Sequence, residues 1–268
     1  MKYKYLGESN LKVSLYCLGS MTWGQGTTEE EGHWQLEHCI SNGINFVDTA
    51  EMYPTNPLRR ETAGETEQII GNWLRKRKRR DDIIIATKVT GEGSKTVRDG
   101  SPISKSTIKV ALEGSLKRLN SDYIDLYQLH WPNRGSYHFR QNWNFDPTKQ
   151  VKSEVTENIF EILSYLSAQV KEGKIRTIGL SNESAWGTMQ FINAATENGF
   201  EKIVSIQNEY SLLCRYFDTD LAELCHNENM HLLAYSPLAA GLLTGKYQND
   251  KVPKNSRLQF SPGLNGRI

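Results

Sequence analysis

The chain has 268 residues, 38% of them apolar and 24% charged, which suits one large globular domain with a sizeable core. Its 32 basic and 31 acidic side chains leave a formal charge of +1, so charge supplies no reason to expect nucleic acid or an anionic membrane as partner. Four cysteines, Cys17, Cys39, Cys214 and Cys225, form no CxxC pair, which argues against a zinc site or a disulfide framework and predicts small buried residues in a reducing compartment.

The opening KYKYLGESNLKV predicts a small hairpin turned at 7–10. It lacks the apolar run of a signal peptide, and no later stretch is long enough to span a bilayer, so a cytoplasmic location is expected. Short apolar segments then read as buried strands at 14–19, 44–48, 83–88, 123–130, 176–180, 203–207 and 231–235. Amphipathic stretches between them predict helices at 28–42, 66–80, 106–119, 155–172, 186–198 and 218–229, the first opening on a Thr cap with acidic residues in its first turn and stopping at Gly43. RKRKRR (75–80) reads as the solvated C-terminal turn of a helix rather than a nucleic-acid patch. The polar and aromatic stretch 133–152 is either a substrate-facing loop or a decorated connection.

Strand alternating with helix means βα units and a parallel sheet, and no linker-like stretch divides residues 1–268, so one domain is expected. A doubly wound dinucleotide fold should carry GxGxxG after its first strand, but CLGSMTWGQG stands there. GLLTGKY (241–247) is one residue short of a P-loop, and Tyr247 replaces the magnesium-binding Ser or Thr. What remains is a (β/α)8 TIM barrel, whose chemistry sits at the carboxyl ends of its strands.

Those ends carry a consistent set. Asp48 closes the second strand, Lys88 the third and His130 the fourth, and Tyr53 follows in the loop after Asp48. Singly, each has a dull explanation as a cap or a satisfied core group. Together at one mouth they form a candidate site. Asp48 would pair with Lys88, the ammonium would lower the pKa of Tyr53, the phenol would deliver a proton to an alkoxide, and His130 would polarise a carbonyl. Proton delivery to a carbonyl needs a companion hydride, which implies a nicotinamide cofactor and a small-molecule carbonyl substrate. Trp23, Tyr53, His130 and Trp131, with the 133–152 loop, suggest an aromatic-lined pocket for it, the alternative being that the aromatics are ordinary packing.

FVDTAEMYPTNP, GETEQIIGNWL, IIIATKV, DYIDLYQLHWP, GKIRTIGLSN, SIQNEYSLL and LLAYSPLAAGLLTGKY, in that order, resemble the aldo-keto reductases over residues 2–257, and the long loop after HWP resembles the bacterial Tas-like NADP(H)-dependent branch. The resemblance implies a catalytic tetrad of Asp48, Tyr53, Lys88 and His130 with Tyr53 as acid/base. It implies that Ser181, Asn182 and Gln207 hold the nicotinamide carboxamide and that Tyr235 stacks on the ring. Ser236, Pro237, Leu238, Gly241 and Lys246 match the pyrophosphate-binding stretch, Arg257 a basic residue near the phosphates, and Gly19, Ser20 and Met21 the first-strand contacts. Asp48 falls among the cofactor contacts as well.

The chain departs from the family at its end. Seven strands are counted, and the eighth strand, the final helices and the adenosine-side clamp are not found before Ile268. That departure leads to an expectation of two open sheet edges, weak NADPH binding and a tendency to aggregate, with SPGLNGRI too short and too rich in Gly and Pro to supply the missing strand. NADP(H) is the family's implication rather than a reading of these residues. Two rival readings are a nucleotide-binding accessory subunit resembling potassium-channel β subunits, which carry Asn where His130 stands, and an inactive remnant.

Overall fold

The computed structural model describes residues 1–55, 57–77 and 79–260. Two strands, β1 (Tyr3–Tyr5) and β2 (Lys12–Ser14), form the antiparallel hairpin expected from the opening segment. Seven more form one parallel sheet in sequence order: β3 (Leu18–Gly19), β4 (Phe46–Asp48), β5 (Ile84–Val89), β6 (Ile124–Leu129), β7 (Ile175–Ser181), β8 (Ile203–Glu209) and β9 (His231–Tyr235). The helices between them are α1 (Glu29–Ser41), α2 (Glu65–Lys76), α3 (Lys105–Leu119), α4 (Lys152–Lys171), α5 (Ala185–Asn198) and α6 (Asp220–Asn227), with a final short α7 (Arg257–Phe260). This is a barrel-type α/β fold in which β3 and β9 are the sheet's edges among the described residues. The stretch 261–268, where the sequence offers no eighth strand, lies outside the described residues.

Local chemistry explains the element ends. Thr28 and Glu31 make a reciprocal capping box at the start of α1, and Ser104 with Thr107 makes one at α3. α2 turns Ile69, Ile70, Trp73 and Leu74 inward. It crosses α3 so closely that a Cβ on Gly71 would stand 1.9 Å from the Arg118 carbonyl oxygen, so only glycine fits there.

Two apolar layers follow. One lies between the sheet and its helices and includes Ile85, Tyr127, Leu163 and Ile178. The other fills the concave side of the sheet with Phe46, Ile84, Ala86, Leu126 and Val204, and Leu6, Leu11 and Val13 of the hairpin complete it. The hairpin therefore plugs the amino-terminal end of the curled sheet. A Cβ on Gly7, which has φ of 56°, would meet the Val204 carbonyl at 2.6 Å, and the Gly7 amide donates to His231 Nδ1 at 2.7 Å.

Three expectations are corrected. Residues 14–19 do not form one strand: Ser14 ends β2, its hydroxyl donating to the Tyr16 carbonyl, and the parallel sheet begins only at Leu18. Cys17 is exposed rather than buried, Cys39 and Cys214 are half-buried, and only Cys225 is inside. α2 ends at Lys76, and the basic run beyond it is not simply solvated. Arg77 is extended, pairs with Asp82 and lies over Trp73, while Arg80 reaches the buried Asp125 at 2.7 Å. Lys78 of that run lies outside the described residues. No helix among the described residues is long and apolar enough to cross a membrane.

Candidate active site

In-register parallel pairing brings the strand ends to one rim. Gly19 pairs with Asp48, Asp48 with Ala86, and Lys88 with Gln128, so β3 to β6 deliver their last side chains together. Lys88 is fully buried. Its Nζ donates to Asp48 Oδ2 at 2.6 Å, to the Thr49 carbonyl at 2.7 Å and to the Tyr53 hydroxyl at 3.5 Å. Three oxygens around one ammonium are what burial of that charge requires. The other carboxylate oxygen of Asp48 accepts from Gln207 Nε2 at 2.7 Å and Gln128 Nε2 at 3.2 Å. The ring of His130 stands edge-on to that of Tyr53, with centroids 5.7 Å apart.

Titration follows from this packing. Burial raises Tyr53 above the ordinary tyrosine value; the Lys88 charge pulls it down, but not far enough to reverse the sign. The expected lowering of Tyr53 is thereby corrected: desolvation of the phenolate outweighs the ammonium. Burial also draws Lys88 down, yet the Asp48 charge and the bonds to Asp48 and Tyr53 hold it above the ordinary lysine value. Burial, aided by Lys88, pushes His130 well below the ordinary histidine value, so its imidazole is neutral at physiological pH.

A second, uncharged network adjoins the first. The Asn182 amide nitrogen Nδ2 donates to the His130 carbonyl at 2.9 Å, and Asn182 Oδ1 accepts from the Tyr235 hydroxyl at 2.8 Å. Ser181 Oγ donates to the Gln207 carbonyl at 2.8 Å. Ser181, Asn182, Gln207 and Tyr235 thus come together, and Gln207 joins them to Asp48. On the other side Ser20 Oγ donates to the Asp48 carbonyl at 2.7 Å, and the Cα of Gly19 faces open space.

Met21 packs on the Ala50–Met52–Tyr53 cluster together with Val97 and Trp131. Trp131 donates its Nε1–H to the Glu92 carbonyl, lies against His130 with centroids 4.8 Å apart, and meets Phe139 of the long loop edge-on at 5.8 Å. Trp23 is not in this wall. It is 1% exposed, packs beneath Gly32 and Ile69, and donates Nε1–H to Gln35. Its expected place in the pocket is corrected: two residues after Met21 the chain has already turned under α1.

The segment leaving β9 differs in kind. Ser236, Ala239, Ala240 and Gly241 all have positive φ, Leu238 is exposed, and Ala239–Thr244 is a short 3-10 turn. Lys246 is exposed, its Nζ 5.1 Å from the Tyr247 ring centroid. The Tyr247 hydroxyl accepts from the Leu258 amide at 3.1 Å, which brings α7 and Arg257 to this segment.

Two features were missed in the sequence. Gln128 lies two residues before His130 and therefore points the same way; period-two alternation would have found it. Glu51 is buried and gripped by Arg98, a pairing over 47 residues with no sequence signal. Gln128 Oε1 and His130 Nδ1 are buried beside the tetrad without a hydrogen-bond partner among the described residues.

Comparison with known proteins bears on the family and the fold. The aldo/keto reductase family model matches residues 16–261. Protein tas of Escherichia coli K12 is 42% identical over 263 residues, covering 96% of this chain and 74% of its own length. The uncharacterized oxidoreductase YrpG of Bacillus subtilis is 35% identical over 250 residues, covering 92% of this chain and 69% of its own. A probable voltage-gated potassium channel subunit beta of Arabidopsis thaliana is 31% identical over 260 residues, with 96% and 70% covered. The crystal structure of a thermostable aldo-keto reductase, Tm1743, with the inhibitor epalrestat superposes with a TM-score of 0.67 at 30% identity, covering 92% of this chain and 77% of that one. The chain belongs to the aldo/keto reductase family of oxidoreductases.

Proposed function

We propose that this protein is an NADP(H)-dependent carbonyl reductase acting on aldehydes or ketones. The observation that carries the reading is the single ammonium of Lys88 bridging Asp48 and the Tyr53 hydroxyl, with neutral His130 against the same ring. NADPH, when bound, supplies the hydride that the carbonyl carbon accepts. Tyr53 gives its proton to the carbonyl oxygen as negative charge develops there, and Lys88 steadies the phenolate left behind. Asp48 keeps Lys88 charged and in place. His130, being neutral, offers a ring N–H that orients the carbonyl without competing as an acid. Burial raises the Tyr53 pKa, so at neutral pH the phenol carries the proton that reduction requires.

The residues fit such a cofactor. Ser181, Asn182 and Gln207 present neutral amide and hydroxyl groups suited to a carboxamide, and Tyr235 supplies an aromatic face. Gly19, Ser20 and Met21 would border the cofactor, with open space over Gly19. Ser236, Pro237, Leu238, Gly241, Lys246 and Arg257 would hold the phosphates. Met21, Val97, Trp131 and Phe139 form an apolar wall suited to an apolar carbonyl.

Titration with NADPH by fluorescence quenching, followed by turnover of a generic aldehyde read at the nicotinamide absorbance, tests the reading. Binding with turnover supports it. Binding without turnover would favour the accessory-subunit reading suggested by the Arabidopsis relative, and neither would favour an inactive protein.

A further inference from the structure

The loop that follows β5, residues 91–103, grips the loop that carries Tyr53 with three consecutive residues. Val97 packs on the Tyr53 cluster. Arg98 forks onto the carboxylate of Glu51, its Nη2 2.7 Å from Oε1, and Nη1 bonds the other oxygen. Asp99 pairs with Arg60, which also donates to the Lys95 carbonyl at 2.8 Å. The grip has a backbone cost: Arg98, Asp99 and Gly100 are all left-handed, with φ of 46°, 53° and 80°, and two of them are not glycine.

Glu51 is buried, lies two residues before Tyr53, and also accepts from the Thr90 amide at 2.6 Å. Arg98 Nη2 reaches back to the Thr90 carbonyl at 3.2 Å, two residues beyond Lys88. The pair therefore ties the tyrosine's loop to Thr90, just past the end of the lysine's strand, by contacts separate from the Lys88–Tyr53 bond. A two-pronged guanidinium on a buried carboxylate fixes both distance and angle.

We propose that Glu51 and Arg98 are positioning residues: their pairing sets the separation of the Tyr53 hydroxyl from Lys88 Nζ and holds Val97 as the wall of the carbonyl pocket. The proposal rests on the reductase reading for its kinetic consequence, though not for its structural one. The other charged and ring neighbours of Tyr53 are Lys88 and Asp48, whose charges act on its phenol, and the edge-on His130 ring.

The test compares Arg98→Met and Arg98→Lys with the native protein in two measurements. The first follows Tyr53 by NMR of protein labelled with 13C at the tyrosine ring carbon bearing oxygen, titrated through pH 7 to 12 and assigned with Tyr53→Phe. The second measures kcat, KM and NADPH affinity with a generic aldehyde. Both variants should move the Tyr53 resonance and its titration midpoint. Arg98→Met should lower kcat by about 10- to 100-fold, a range set by misplacement of a reacting group on the order of 1 Å, with NADPH affinity within about twofold. Arg98→Lys keeps the charge and loses the fork, so it should fall between the two. If Arg98→Met does not fold, Arg98→Lys alone decides. An unmoved Tyr53 resonance and midpoint in a folded variant would overturn the proposal and leave the pair a stabilising contact. Should the native protein turn over no carbonyl, the reductase reading fails, while the Tyr53 titration still decides whether the pair positions the tyrosine.

Discussion

The rim of the sheet has two unlike halves. From β4 to β6 every strand residue is buried, and at the rim Asp48 and Lys88 neutralise each other at hydrogen-bonding distance. At β9 none of the five residues is fully buried, and the segment beyond it runs through five positive-φ residues to an exposed lysine. A fixed geometry suits proton delivery, where a small displacement costs rate. An exposed, irregular segment suits contact with phosphate, where affinity comes from charge and backbone amides that water already reaches. The contrast predicts that changes on the first half act on rate, and changes on the second on cofactor affinity.

The largest effect should come from Tyr53→Phe. Loss of the acid should lower turnover by about a thousandfold, within the usual range for a general acid, with NADPH affinity nearly unchanged. Retained turnover within about tenfold would remove Tyr53 from the acid role. Lys88→Met comes next. It should cost about a hundredfold in kcat, and the pH profile carries the sign. In the proposed mechanism reduction needs protonated Tyr53 and fails as pH rises through its pKa. The Lys88 charge lowers that pKa, so its removal should move the basic limb to higher pH. An unmoved limb would mean that Lys88 acts only through Asp48.

On the other half, Lys246→Ala should leave kcat alone and weaken NADPH binding by about fivefold, the worth of one exposed charge on phosphate, and added salt should shrink the difference. A kcat effect there would erase the distinction between the halves. Smallest of all, Trp23→Phe should change KM for an apolar aldehyde by less than about twofold while lowering the melting temperature, since Trp23 fills core rather than pocket. A larger KM change would return it to the substrate wall.

How far the sequence could be read varied with the kind of signal. Strand ends carrying Asp48, Lys88 and His130 were legible because a buried strand that terminates on a titratable side chain is unusual, and parallel topology then gathers those ends. The helix start at Thr28 was legible because caps are local, whereas the Ser104 cap of α3, two residues before the expected start at 106, was passed over. The split of 14–19 between two sheets was not, since its apolar pattern is continuous and only the Ser14 hydroxyl on Tyr16 breaks it. Trp23 misled because aromatic residues near a rim look alike whether they face the mouth or the core. The sign of the Tyr53 shift was missed because neighbours can be inferred from a motif, whereas the extent of desolvation depends on everything packed around it. Glu51 and Arg98 could not be paired at all, because nothing in either loop announces the other.

The amino-terminal hairpin has a consequence for the order of synthesis. Its tip is held by Val204 and by His231, through a hydrogen bond that spans 224 positions of the chain, and Glu8 adds bonds to Lys202 and Asn229. As the ribosome extends the chain, the hairpin's apolar residues Leu6, Leu11 and Val13 wait without their last partners until β8 and β9 emerge. Contacts so distant in sequence form late and slowly. The early strands carrying Asp48 and Lys88 should therefore gain their final packing only once the far side of the sheet is made. A nascent chain arrested at about residue 195, before Val204 and well short of His231, should expose the hairpin to protease cleavage that the released protein resists.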